Sequence, residues 1–166
     1  MLIRNAGLND LPAIVQIYNS TIPSKMVTAD TSPVTVEGKM EWFSGHEPAK
    51  WPIWVLEYNN HVIGWLSFSP FYNRPAYNAT AEISIYIAEG QRGRGIGTKL
   101  LTEAIKKAPE LGFTSLLGFV FAHNNPSLKL FTKMNFERWG YLPGVACLGE
   151  VEKDLVILGR KVGINS

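Results

Sequence analysis

Residues 85–101 read IYIAEGQRGRGIGTKLL and pass from a strand-like run, through three closely spaced glycines, into a helix-like run. Alternate glycines let a backbone turn sharply and bring its N–H groups close to a ligand. The helix predicted after them begins with unpaired N–H groups and a partial positive charge, which favour an anion. Arg92 and Arg94 add positive charge. The stretch therefore predicts a phosphate-binding turn, with a glycine-rich turn that holds no ligand as the alternative.

Two common nucleotide-binding motifs do not fit this turn. The dinucleotide fingerprint needs GxGxxG after an early strand–helix–strand unit, whereas the glycines here run GxGxG and no such unit precedes them. The phosphate loop of ATPases and GTPases ends in Gly-Lys-Ser or Gly-Lys-Thr, whereas Thr98 here precedes Lys99. What remains is the pattern Arg92-x-x-Gly95-x-Gly97 after a strand.

The segments on either side of the turn have clear periodicities. TAEISIYI, residues 80–87, alternates strictly and predicts a strand with isoleucines on one face and Glu82, Ser84 and Tyr86 on the other. After the turn, apolar residues recur at helical spacing from Ile96 to Ala108.

The rest of the chain predicts a mixed sheet. Before the turn come a strand at 2–5, a helix at 9–20, a helix from about Ser32 and Pro33, and a hairpin at 53–69 that turns at Asn59 and Asn60. After it come a strand at 114–122, a helix at 125–134 and two closing strands. Early hairpins and late helical crossovers favour a mixed α+β sheet covered by helices over a purely parallel one.

Composition limits the function classes. The 166 residues, 46% of them hydrophobic, suit one domain spanning 1–166. A net charge of +2 without long basic blocks argues against nucleic acid or a membrane surface as partner. The first twenty residues resemble neither a secretion signal nor a membrane span, so a cytoplasmic protein is expected. Cys147, the single cysteine, is expected to be a buried core residue.

The sequence gives little support for metal-dependent or nucleophilic catalysis. The histidines at 46, 61 and 123 are scattered, and neither HExxH nor GxSxG occurs. No metal is expected, and no base for nucleophilic catalysis by Cys147 can be located.

The loop pattern Arg92-x-x-Gly95-x-Gly97 and its context resemble the GNAT superfamily of N-acetyltransferases, whose pyrophosphate loop is [QR]xxGx[GA]. The resemblance extends over nearly the whole chain, from IRNAGLNDLPAIVQIYN near the start to NNPSLKLFTKMNFERWG after the fifth strand. The spacing of IYN, WF, RPAYNATAE and SIYI is most similar to the phosphinothricin acetyltransferase branch.

The resemblance implies a single GNAT domain: a mostly antiparallel sheet of about seven strands, splayed between strands 4 and 5, with about four helices on both faces. It also implies acetyl-CoA as co-substrate, bound in the cleft that the splay opens. The residues that match the family's cofactor-binding positions are Ile85, Tyr86, Ile87, Arg92, Gly93, Arg94, Gly95, Ile96, Gly97, Thr98, Asn124 and Ser127. Asn124 and Ser127 have a second interpretation, as caps of the helix that follows them.

Glu82 matches the family's proposed general base. An amine is mostly protonated at neutral pH, since an α-amino group titrates near roughly 8 and a lysine near roughly 10.4. A carboxylate can take the proton and free the amine to attack the thioester. The alternative is a salt-bridged glutamate on an exposed strand face. Backbone N–H groups near Ile87 would stabilise the oxyanion.

The sequence departs from the family at two positions. Phe131 stands where many relatives have a tyrosine acid, so that Tyr86 or a water would have to protonate the CoA thiolate, unless it leaves unprotonated. Asn78 stands where many branch members have a second arginine.

Acceptor recognition is assigned to Arg74, for a substrate carboxylate, and Tyr77, with Trp42 and Tyr141 as weaker candidates. A solvated loop arginine is the alternative for Arg74. The implied activity is acetylation of a small primary amine, such as an amino acid or its analogue. A polyamine, aminoglycoside or peptide N-terminus as acceptor, a silent acyl-CoA-binding module, and a nucleotide-binding protein stay open. Because relatives are often dimers, a homodimer is expected.

Overall fold

The computed structural model describes residues 1–163. Seven strands form one sheet in the order β1-β2-β3-β4-β5-β7-β6. The strands are β1 Leu2–Asn5, β2 Ile53–Tyr58, β3 His61–Pro70, β4 Thr80–Ile87, β5 Ser115–Phe121, β6 Glu137–Leu148 and β7 Val151–Lys161. The four α-helices are α1 Leu11–Thr21, α2 Val36–Ser44, α3 Ile96–Lys107 and α4 Asn125–Lys133. The predicted mixed architecture is confirmed.

The sheet is antiparallel except between β4 and β5. These two parallel strands pair only from Thr80↔Ser115 to Glu82↔Leu117. Beyond Glu82, β4 stays paired with β3, and β5 stays paired with β7 as far as Phe121↔Leu155. The sheet therefore splays between strands 4 and 5, as predicted, and the splay begins immediately after Glu82.

The central hairpin forms where the sequence predicts it. Asn59 and Asn60 have φ values of 50° and 62°, the left-handed conformation that a tight two-residue hairpin turn requires and that asparagine tolerates. The turn joins β2 to β3, and most residues of these two strands are buried.

Helices cover both faces of the sheet. On one face, α1 and α2 pack over a cluster of buried residues that includes Ile14, Val55 and Trp65. On the other, α3 and α4 pack over a larger cluster that includes Leu100 and Phe131. Since side chains alternate along β4, Ile83 and Ile85 belong to the second cluster, whereas Tyr86 packs against the first.

Two expectations are corrected. The second helix begins at Val36 rather than near Ser32, because Thr35 provides the N-cap by accepting a hydrogen bond from the Gly38 N–H. Cys147 is exposed rather than buried, since it lies on β6, the outermost strand of the sheet. No helix within residues 1–163 combines the length and the apolar character needed to span a bilayer.

Candidate active site

The glycine loop forms the sharp turn before α3. Gly93 and Gly95 have φ values of 77° and 78°, and a Cβ on either would meet nothing within 4 Å. Gly95 is the N-cap of α3, so the free N–H groups of the first helical turn lie directly beside this open backbone. Gly97 also has a packing role, because a Cβ there would lie 3.0 Å from Leu130 Cδ2. The loop thus provides an accessible anion-binding helix start.

A cleft of about 320 Å³, the loop cleft, opens in front of this helix start. The predicted cofactor-binding residues that line it are Ile85, Tyr86, Ile87, Arg92, Gly93, Gly95, Ile96, Gly97, Thr98, Asn124 and Ser127. Arg94 is not among the lining residues. Its guanidinium donates to Gln91 Oε1 at 2.7 Å and lies 5.7 Å from the centre of the Tyr58 ring. The two arginines of the loop are thus placed differently: Arg92 lines the cleft, whereas Arg94 does not.

The far wall of the loop cleft was not predicted. It consists of Thr21, at the end of α1, and of Ser24, Met26 and Val27 in the segment that follows. Asn124 joins this wall to α4: its side-chain oxygen accepts from the Ser127 N–H at 3.3 Å, and its side-chain nitrogen donates to the Met26 carbonyl at 3.1 Å. The capping interpretation of Asn124 is therefore confirmed, and its position in the cleft wall also leaves cofactor contact open.

A second cavity of about 110 Å³, the inter-strand cleft, lies where β4 and β5 separate. The N–H of Ala88 donates to the Ile63 carbonyl at 2.9 Å, on the β3 side. Because backbone groups alternate in direction along a strand, Ile85 and Ile87 aim their N–H and C=O groups at the opening instead. Phe131 closes the cleft with an apolar ring that carries no hydroxyl.

Glu82 lies at the last β4–β5 register pair, where the splay begins. Its carboxyl is largely buried, and this desolvation raises its pKa above the ordinary value of 4.5. The three ion pairs found within residues 1–163 do not include Glu82. The alternative of a salt-bridged glutamate on an exposed strand face is therefore not what the structure shows. A carboxyl with a raised pKa at the point where two strands begin to separate is suited to proton transfer, and Glu82 itself lines neither the loop cleft nor the inter-strand cleft.

A third cavity of about 180 Å³, the tryptophan pocket, lies on the face of β4 that Glu82 shares with Ser84 and Tyr86. Trp42 from α2 and Trp65 from β3 line it. Their rings meet edge to face at 5.6 Å, and the Trp65 ring stacks on the Tyr86 ring at 4.6 Å.

Sequence reasoning missed most of the tryptophan pocket. Ser67 and Ser69 line it from β3, and Lys39 lines it from α2. The strand pattern offered one signal: small polar residues at 67 and 69 interrupt the apolar run of β3 on the face that would otherwise be core. No role was predicted for His46 from the sequence. Its Nε2 lies 3.5 Å from the Oγ of Ser69, and Ser69 is the register partner of Glu82 in the β3–β4 pair.

The predicted acceptor-binding residues lie elsewhere. Arg74 precedes a short 3-10 turn, Pro75–Tyr77, and both Arg74 and Tyr77 are exposed. The Tyr77 ring packs against Phe71 and Tyr72, and neither Arg74 nor Tyr77 lines any of the three cavities. Tyr141 lies on β6, where its hydroxyl donates to Asp154. Of the four candidates, Trp42 alone reaches a cavity described above.

Three features lie on or next to β4. They are the anion-binding start of α3, a strand edge with free backbone groups, and the buried carboxyl of Glu82. A long anionic donor can bind across the first two features, and an acceptor can approach from the third. This combination, in a mixed sheet splayed at β4 and β5, fits an enzyme that transfers an acyl group from such a donor.

Comparison with known proteins agrees. The sequence profile described as Acetyltransferase (GNAT) family matches residues 13–136. The Bacillus subtilis (strain 168) protein named "Putative phosphinothricin acetyltransferase YwnH" is 56% identical over 98% of this chain and 99% of its own. The L-methionine sulfoximine/L-methionine sulfone acetyltransferase of Pseudomonas paraeruginosa (strain DSM 24068 / PA7) is 30% identical over 86% of this chain and 84% of its own.

A solved structure shows the same fold with the donor bound. The GNAT superfamily phosphinothricin acetyltransferase of Sinorhizobium meliloti, in complex with AcCoA, superposes with a TM-score of 0.91 at 28% identity, covering 98% of this chain and 88% of that one. The chain belongs to the GNAT family and is an acetyltransferase.

Proposed function

We propose that this acetyltransferase moves an acetyl group from acetyl-CoA to the primary amine of an amino acid or amino-acid analogue, of the phosphinothricin or methionine sulfoximine type. The observation that carries the proposal is the position of Glu82. Its buried carboxyl, with a raised pKa, lies where β4 parts from β5, on the strand that lines both the loop cleft and the tryptophan pocket.

The residues of the loop cleft fit acetyl-CoA. The pyrophosphate carries negative charge, which the open backbone of Gly93 and Gly95 and the start of α3 can accept. Arg92, in the same lining, adds a cation. The free backbone groups of Ile85 and Ile87 would pair with the amides of the pantetheine arm as a further strand does. When bound, the donor supplies the thioester carbonyl.

Glu82 would act as the general base. The amine reaches the enzyme mostly as ammonium and must lose a proton before its lone pair can form the new bond to the acetyl carbon. A carboxylate whose pKa lies closer to the working pH accepts that proton more effectively than an ordinary one. The other product, the CoA thiolate, leaves as the C–S bond breaks.

Backbone groups would stabilise the oxyanion, and a side chain or solvent would protonate the thiolate. The Ile87 N–H, aimed at the opening, would stabilise the oxyanion that forms during attack. Phe131 has no proton to give to the thiolate. Protonation would then come from Tyr86 or from water, or the thiolate would leave unprotonated, since thiols titrate near roughly 8.5. Burial raises the pKa of Tyr86, which makes it a weaker acid.

The names of the relatives support the acceptor class. The Pseudomonas paraeruginosa relative is named for the acetylation of L-methionine sulfoximine and L-methionine sulfone, and the name of the Bacillus subtilis relative refers to phosphinothricin. Arg74 and Tyr77 remain proposed contacts, on a loop that would have to close over the acceptor.

We further propose one acetyltransferase domain over 1–166, because one sheet unites β1 with β7.

A panel of amines tests the proposal by release of free CoA from acetyl-CoA. The panel contains methionine sulfoximine, phosphinothricin, putrescine, an aminoglycoside and a peptide N-terminus. We expect turnover with the first two compounds. Turnover with the peptide or aminoglycoside alone would contradict the acceptor class, and absence of turnover with any amine would contradict the activity.

Glu82→Gln tests the role of the carboxyl. The variant should lose at least a hundredfold in kcat, while it binds acetyl-CoA as the native protein does. Glu137→Gln, on the exposed outer strand β6, is the matched control and should keep full activity. Unchanged turnover in Glu82→Gln would remove Glu82 from the role of base.

A further inference from the structure

The tryptophan pocket contains a buried hydrogen-bond donor without a partner. Trp65 is 3% exposed, and its indole N–H finds no acceptor within residues 1–163. An indole nitrogen can only donate, and a buried donor left unpaired is costly. Trp65 lines the pocket. The nitrogen atom itself has less than 1 Å² of accessible surface, so the indole ring would have to tilt for an oxygen atom of a bound molecule to become its acceptor.

The pocket is also positively charged. Lys39 lines it, and the ammonium lies 5.6 Å from the centre of the Tyr18 ring and 5.7 Å from that of Trp42. No carboxylate is among the lining residues, and Asp30, near Tyr18, accepts the hydrogen bond of the Tyr18 hydroxyl. Glu82 lies two residues before Ser84 on the same face of β4 and is not itself a lining residue.

Three serine hydroxyls complete the polar lining. Ser67 and Ser69 come from β3, and Ser84 comes from β4. Ser84 pairs with Ser67 and Glu82 pairs with Ser69 in the ladder between these strands. Since the hydroxyls can rotate to donate, the pocket offers donors to a ligand from the indole, the ammonium and the serines together.

We propose that this pocket receives the far end of the acceptor, and that this end carries hydrogen-bond-accepting oxygens on an uncharged or anionic group: a sulfone, sulfoximine, phosphinate or carboxylate. Trp65 and Lys39 are the residues that determine this specificity. The assignment rests on the proposed function, since it places the amine at Glu82. An acceptor with a second cation, such as a diamine, is rejected because Lys39 already occupies the cation-binding faces of Tyr18 and Trp42.

The distances along the strand suit such a molecule. Residues two apart on a strand face are separated by roughly 7 Å, which is the spacing from Glu82 to Ser84. The carbon chain of a methionine-type side chain can span that distance between its amine and its oxygen-bearing end. Ser84, which lines the pocket, therefore lies at about the distance from Glu82 that such an acceptor would span.

The test compares two amines that differ in their oxygens. Methionine sulfone carries sulfonyl oxygens where norleucine has only hydrocarbon. The native protein should prefer the sulfone in kcat/KM by about tenfold or more, since a site built to donate hydrogen bonds penalises a ligand that leaves its donors unpaired. Trp65→Phe and Lys39→Met should each lower this preference about fivefold, with KM for acetyl-CoA unchanged. Lys39→Met should also improve turnover of putrescine.

Two controls separate specificity from folding. Trp54→Phe replaces a buried tryptophan of β2 that packs on the opposite face of the sheet, so it should keep the native preference. Lys106→Met removes an exposed lysine of α3 and should do the same. If Trp65→Phe does not fold, Lys39→Met, which replaces a half-buried side chain, still decides. A sulfone preference within twofold of native in both pocket variants overturns the proposal.

Calorimetry distinguishes failure of this inference from failure of the proposed function. Methionine sulfone and norleucine are titrated into the native protein with CoA present, so that no acetyl group can be transferred. Tighter binding of the sulfone, weakened by Lys39→Met, supports the pocket even if no amine in the panel is acetylated. Equal binding of the two amines overturns the pocket even if other amines are acetylated.

Discussion

The ring of Phe131 occupies the space that a side chain on Gly118 would need. A Cβ on Gly118 would lie 2.7 Å from Phe131 Cε1 and 2.8 Å from Cζ. Gly118 is on β5 and Phe131 on α4, so the absence of a side chain on the strand lets the helix approach closely. The ring then packs edge to face on Phe136 at 4.9 Å and closes the inter-strand cleft.

Gly118→Ala should therefore destabilise the protein by about 1–3 kcal/mol, because the added methyl group overpacks a filled site. Urea unfolding measures the change. Phe131→Leu should also destabilise, through lost packing. Combined with Gly118→Ala it should cost less than the sum of the two single changes, since the smaller side chain leaves room for the methyl group. Strict additivity in this cycle would contradict the contact.

Neighbouring glycines of the loop should respond differently to alanine. Gly95→Ala forces a left-handed backbone on a residue with a Cβ, at about 1–2 kcal/mol, and should raise KM for acetyl-CoA as the loop relaxes. Gly97→Ala should chiefly lower stability, because its methyl group would press on Leu130 of α4. Steady-state kinetics and urea unfolding of both variants check this.

The control for this pair is Gly7→Ala. Gly7 has a φ of −100°, and a Cβ there would make only an ordinary contact with Asp10. This variant should change neither KM nor stability appreciably. An equal effect on KM from Gly95→Ala and Gly97→Ala would contradict the separate roles of the two glycines.

Glu82 should govern the acid limb of the pH–rate profile. Burial raises the pKa of its carboxyl above the ordinary 4.5, and the base works only when ionised. We therefore expect kcat/KM to rise with pH through a midpoint above 4.5, and Glu82→Gln to abolish this limb in whatever activity remains. A limb that persists unchanged in the variant would assign the titration to another group, such as the amine.

The same pKa shift predicts how stability depends on pH. The folded protein holds the Glu82 proton more tightly than the unfolded chain does. The stabilisation that comes from this proton is therefore complete below pH 4.5 and is lost as pH rises through the raised pKa. Glu82→Gln should thus be at least as stable as the native protein at neutral pH. The difference should disappear in acid, as urea unfolding at several pH values would show.

Variants of Asn124 and Ser127 should distinguish capping of α4 from binding of the cofactor. Asn124→Ala removes the cap of α4 and the bond to Met26, and should lower the free energy of unfolding by about 1–2 kcal/mol. Ser127→Ala leaves the cap intact, because Ser127 contributes its backbone N–H to it. That variant should keep its stability and raise KM for acetyl-CoA. Unchanged KM would show that the Ser127 hydroxyl does not contact the donor.

Local pattern predicted most of the fold. Alternation in 80–87, the asparagine pair at 59 and 60 and the helical stripe after Ile96 each depend on short-range geometry that a sequence displays directly. The start of α2 was misplaced because Ser32 and Pro33 form a plausible cap and first-turn pair, whereas the structure uses the side chain of Thr35 as the N-cap. Cys147 was expected in the core because its residue type is usually buried, whereas exposure depends on the position of β6 at the sheet edge.

By itself, the sequence determined the donor side of this protein. The glycine spacing, the strand before it and the helix after it lie within a few residues of one another, so the anion-binding turn and the carboxyl upstream of it could be read directly. Only the tertiary structure showed which residues form the tryptophan pocket, where we propose that the acceptor binds. Lys39, Trp65 and Ser84 come from three separate elements. Their common pocket exists because α1 packs on β3 and β4 while α2 packs on α1 and brings Trp42 against Trp65.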